Sequence, residues 1–115
     1  AKRMHRRRVS GYAARMTEHA NILTKLESEV APTTWDLLMP HLARGGLIEA
    51  RGVDLVPAAV AVALDRVADV QRWLADGTLV ASAGLSEKSY ATDTSVDMVI
   101  VQPFVLFRVS SPEVC

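Results

Sequence analysis

A lone cysteine, Cys115, stands at the end of the 115-residue chain, so neither an internal disulfide nor a cysteine-based metal centre can form. That usage fits a reducing compartment and predicts a cytoplasmic protein. No apolar run approaches the roughly 18 residues that a bilayer-spanning helix needs, and no hydrophobic leader core follows the basic start. A membrane partner is not expected. Glycine is sparse, and Gly45-Gly46 has neither a strand before it nor a Lys-Ser or Lys-Thr after it, which excludes a phosphate loop. No nucleophile is patterned with a base, and no spacing of carboxylates repeats a metal-ligand loop. The expectation is a protein without cofactor or metal, and not an enzyme.

Net charge is absent too, with 13 Lys+Arg against 13 Asp+Glu. The balance conceals an asymmetry. Residues 1–16 carry Lys2, Arg3, Arg6, Arg7, Arg8 and Arg15 and no acid, leaving seven bases to face all 13 acids in the remainder. The basic segment lacks apolar periodicity, so residues 1–16 are expected to be a disordered arm or an upstream extension of a domain that starts near Met16. As a working arm it would grip phosphates without sequence preference or act as an organelle presequence. Half the residues are apolar, and a chain of this length buries roughly 65% of its unfolded surface in a single core. Residues 17–109 are expected to form that one globular domain, followed by a loose tail over 110–115.

The stretch from Val53 to Val80 organises the rest. Val56, Val60 and Leu64 recur four apart, and Val67, Val70 and Leu74 three and four apart, which predicts helices over 57–64 and 66–75 joined by a tight turn. Pro57 suits a first turn, Asp65 is placed to cap the second helix through its carboxylate, and Gly77 supplies a left-handed end. Ala58, Ala59, Ala61 and Ala63 let neighbours approach, so the first helix of the pair should be the central, most buried helix. Upstream, Ile22, Leu23, Leu26 and Val30 mark an amphipathic helix that must stop by Ala31, ahead of Pro32. Thr33 and Thr34 can cap a helix over 34–44 with Trp35, Leu38 and Leu42 inward and a kink at Pro40. Strands are expected over 47–50 and 78–82, with a polar loop over 83–96. The strongest strand signal runs from Asp97 to Val109, where Pro103 marks a bend, bulge or edge and the two halves are expected to pair with different partners. The fold class is α+β: about four helices on a small mixed or antiparallel sheet, in an element order that matches a winged helix.

Few residues carry chemistry. His41 is better explained as a surface or hydrogen-bonded core histidine than as a ligand. Glu49, Asp54, Asp65, Asp69 and Asp97 are the carboxylates available for acid–base work or a hard cation. Asp54 and Asp65 are accounted for by caps, and Glu49 and Asp97 by exposed strand positions.

The arrangement Trp35-Asp36-Leu37-Leu38, Leu47-Ile48, Val53-Asp54-Leu55-Val56, Val70-Gln71 with Trp73-Leu74, and Ile100-Val101-Gln102-Pro103-Phe104-Val105-Leu106 resembles the small bacterial proteins grouped as domain of unknown function 2288. The resemblance runs from about Leu23 to Arg108, and its most specific part is the Ile100–Leu106 stretch. It implies a bacterial, cytosolic, stand-alone domain, and brings no activity or cofactor with it. The basic residues before Met16 fall outside it, which favours the upstream-extension reading.

Three functions from different classes compete, the weakest being an enzyme that uses the carboxylates named above, which caps and exposed strand positions mostly explain. The first is a non-enzymatic interaction or accessory module, binding a protein partner or a second copy through Trp35, Gln102, Pro103 and Phe104. The second is a winged-helix nucleic-acid binder, in which the basic arm (Lys2, Arg3, Arg6, Arg7, Arg8) and the 66–75 helix (Arg66, Gln71, Arg72) would meet phosphates and bases. Asp65, Asp69 and Asp76 on or beside that helix oppose the second reading electrostatically.

Overall fold

A computed structural model describes residues 20–110 of the chain. The basic segment with Lys2, Arg3, Arg6, Arg7, Arg8 and Arg15 and the tail over 111–115 lie outside the described residues. The first helix, α1, covers 20–29 and ends ahead of Pro32 as the sequence requires. Next come β1 (Ala31–Thr34), a 3-10 turn (Trp35–Leu38), α2 (Met39–Arg44), β2 (Leu47–Ala50), α3 (Leu55–Ala63), α4 (Val67–Asp76), β3 (Leu79–Ala81), 3-10 turns at Ser82–Gly84 and Glu87–Ser89, β4 (Ser95–Val101) and β5 (Phe104–Val109). The class is α+β.

One mixed sheet of five strands runs in the order β1-β4-β5-β2-β3. Its only parallel neighbours are β2 and β5, with Ile48 opposite Leu106 and Glu49 opposite Phe107. Side chains alternate across a pleated strand, so the sheet has two different faces. On one lie Ile48, Ala50, Leu79, Val99 and Leu106, covered by Leu26 of α1 and by Leu55, Ala58, Ala59 and Val60 of α3. The other carries Leu47, Val96, Val105 and Phe107, covered by Trp35 and Leu38 and, half-buried, by Met39, Leu42, Leu85 and Tyr90. α3 is the most buried helix, because its alanines leave no side chain to hold the sheet away.

Three expectations need correction. Asp65 does not cap α4, whose N-cap is Arg66 without a side-chain bond. Asp65 sits at φ 58° and ends α3 instead: its N–H bonds Val62 O at 3.1 Å and the next N–H, of Arg66, reaches Ala61 O at 2.9 Å. That is a Schellman closure, with aspartate in the left-handed place glycine usually takes. Asp54 does occupy the N-cap of α3, but its carboxylate accepts no capping bond. Second, the helix expected over 34–44 is split. Residues 31–34 pair with β4, and α2 begins only at Met39 because Pro40 has no N–H to bond back and is tolerated in a first turn. Third, the halves of the 97–109 run pair with each other, Asp97 opposite Arg108 and Val101 opposite Phe104, around an exposed Gln102–Pro103 turn; each half has a further partner on its outer side.

The winged-helix order also fails at the level of pairing. A wing would need β3 and β4 to form a hairpin after α4. β3 is an edge strand bonded to β2 alone, while both sides of β4 are taken by β1 and β5.

Candidate functional site

The two ends of the β2–β5 pair carry the two sites with chemistry. At the carboxyl end, Glu49 shares the face of Leu47, where the pleat directs it under Tyr90. It is 3% exposed and is the one buried charged residue among the described residues. Burying an ion costs several kcal/mol unless partners replace its water. Here both oxygens have one: Arg51 Nε donates to Oε1 at 2.9 Å, and the Tyr90 hydroxyl donates to Oε2. Tyr90 is held in turn by aromatic packing, edge-on to Trp35 at 5.2 Å and 77° and to Phe107 at 6.3 Å and 87°. Burial first, and then the bond to Glu49, pushes the Tyr90 hydroxyl above its ordinary value, so it stays a donor; the same carboxylate raises Arg51. A cleft of about 510 Å³ opens beside this group, bordered by Arg51, Gly52, Val53, Asp54 and Arg108. Arg108 reaches across its own hairpin to Asp97 at 3.3 Å.

At the opposite end, β2 starts from Gly45-Gly46. Gly45 ends α2 at φ 80°, and a Cβ on Gly46 would sit 3.0 Å from the Pro103 carbonyl oxygen, so the α2 end and the β4–β5 turn meet here. Between them lies a pocket of about 380 Å³ lined by His41, Arg44, Ile100, Gln102, Pro103 and Phe104. Ile100 is 46% exposed. Arg44 donates to His41 Nδ1, and burial together with Arg44 holds the imidazole below its ordinary range, hence neutral. No carboxylate lines this pocket.

The residues singled out from sequence divide accordingly. Gln102, Pro103 and Phe104 come together at the second pocket, while Trp35 is fully buried, its indole N–H donating to Glu87 O at 2.9 Å, and so presents no contact surface. Arg66 and Arg72 border a separate groove with Trp73, where Arg72 is engaged by Asp69 at 3.1 Å, the acid that weakens the phosphate-binding reading. Glu49 is not on an exposed strand position. The sequence signal for it was a lone charge on the face of Leu47 within an otherwise apolar strand; nothing local marked Tyr90, 41 residues away in a polar loop. Among the described residues, no group of three or more His, Cys, Asp and Glu could hold a metal, and no helix is long and apolar enough to cross a membrane.

The family model described as "Protein of unknown function (DUF2288)" matches residues 21–109. The chain belongs to this family. A protein of Pseudomonas aeruginosa, PA1075, solved in solution by NMR, is similar in structure: TM-score 0.63, 28% sequence identity, covering 83% of this chain and 90% of that one. No curated protein matches the chain significantly. Both pockets described above lie wholly within the span that the DUF2288 model covers.

Proposed function

We propose that this DUF2288 domain is a non-enzymatic interaction module that docks a segment of a partner protein at the β4–β5 turn. The partner segment carries an apolar side chain flanked by acids. The carrying observation is the charge of the pocket set against its surroundings. Beyond residue 16 the chain has 13 acids and seven bases, yet this pocket is bordered by Arg44, His41, the Gln102 amide and apolar groups and by no carboxylate. Exposed Ile100 and half-buried Phe104 supply the apolar contact, and Arg44 supplies the forked donor that suits a carboxylate.

The test is an NMR titration of the full chain with a capped Leu-Asp-Glu-Phe peptide and with its Leu-Lys-Lys-Phe counterpart. The acidic peptide should move His41, Arg44 and the 100–105 amides saturably, and Arg44→Glu should abolish the response. Equal response to the lysine peptide, or none to either, would remove the reading.

A further inference from the structure

We infer that the cleft at the carboxyl end of the β2–β5 pair is a binding site for a small zwitterion of the amino-acid type, carrying a carboxylate and an ammonium on a short frame. This goes beyond the docking reading and rests on other residues. Four ionised side chains border the cleft, two of each sign: Glu49 and Asp54, Arg51 and Arg108. They are not equally available. Glu49 is buried with both oxygens taken, and among the described residues the Asp54 carboxylate makes no side-chain hydrogen bond or ion pair, although it stands at an N-cap. Each arginine is committed through Nε, Arg51 to Glu49 at 2.9 Å and Arg108 to Asp97 at 3.3 Å, and each side chain is about half exposed at 50% and 47%. What the cleft offers a ligand is therefore two guanidinium ends and one carboxylate.

That combination selects the ligand class. A simple anion attracted to the arginines meets Asp54, and a simple cation attracted to Asp54 meets two guanidinium groups. A molecule with both charges satisfies both sets, its carboxylate on the planar forks and its ammonium on Asp54. A volume of about 510 Å³ suits a small molecule. The cleft lies just beyond the carboxyl ends of β2 and β5, which run parallel. Glu49 is a positioning residue here: burying it between Tyr90 and Arg51 fixes the direction of the Arg51 fork.

The test is an amide NMR titration of the full chain with glycine, with acetate and with methylammonium at constant ionic strength. Glycine should produce saturable shifts at Arg51, Gly52, Val53, Asp54 and Arg108, with acetate and methylammonium each at least about tenfold weaker. Asp54→Asn and Arg108→Gln replace exposed residues, so both variants should keep the rest of the spectrum while weakening glycine about tenfold. Neither should alter the acidic-peptide response at the β4–β5 turn, which separates the two proposals. No saturable glycine shift, equal binding of acetate, or indifference to both substitutions would overturn the assignment.

Discussion

The two ends of the β2–β5 pair are built from the same two strands and treat charge in opposite ways. At the carboxyl end a carboxylate lies inside the fold and is balanced by a tyrosine and an arginine. At the turn end no carboxylate is buried: Arg44 is exposed, His41 is half-buried and neutral, and the interior contribution is apolar. Charge placed in the interior has to be held by named partners, so it is structural and costly to disturb. Charge at the rim of an apolar pocket contributes little to folding, and is free to choose a partner.

Substitutions should separate the ends by magnitude. The largest effect is expected for Arg51→Ala, which leaves Glu49 buried with Tyr90 alone. Removing a partner from a buried ion costs about 3–5 kcal/mol; because Arg51 itself is half exposed, about 2–3 kcal/mol is expected from urea unfolding. A loss under about 0.5 kcal/mol, the level of an ordinary surface substitution, would mean that Glu49 is not held as an ion. Next is Tyr90→Phe, which removes the donor to Oε2 and should cost about 1–2 kcal/mol.

The same tyrosine gives a pH signature. Its folded value lies above its ordinary one of about 10, so its contribution is fully present below pH ~10 and is lost as pH rises through the folded value. Wild-type stability should therefore fall in that alkaline window, and Tyr90→Phe should lack this part of the fall. The smallest effect belongs to the turn end, where Arg44→Ala should change stability by no more than about 0.5 kcal/mol while abolishing the acidic-peptide response. If Arg44→Ala destabilised as much as Arg51→Ala, the contrast between the ends would collapse.

The parts of this fold that were legible in sequence were those governed by local periodicity. The Val56–Leu74 pattern marks two helices and Gly77 the end of the second, because helix spacing and left-handed glycine are properties of a few neighbouring residues. β1 is not legible locally because Thr33 and Thr34 suit a helix N-cap as well as a strand, and only the pairing with β4 decides between them. Asp65 is ambiguous for a related reason: the same residue type suits an N-cap and a left-handed helix end, and only the backbone decides between them. At the turn, Gln102, Pro103 and Phe104 were legible as a surface feature, since proline interrupts a strand. Their neighbours His41 and Arg44 were not, being brought in by a helix some 60 positions earlier. The burial of Glu49 is not legible because a strand of four residues does not announce how many neighbours will cover it.

The most direct measurement is photo-crosslinking in cells from two positions of the full chain, Ile100 at the turn end and Val53 at the cleft. A protein crosslink is expected from Ile100, mapped to a segment with acidic and apolar side chains, and none to protein from Val53. A protein crosslink from Val53 alone, or an Ile100 crosslink that maps to a basic segment or to nucleic acid, would contradict that expectation.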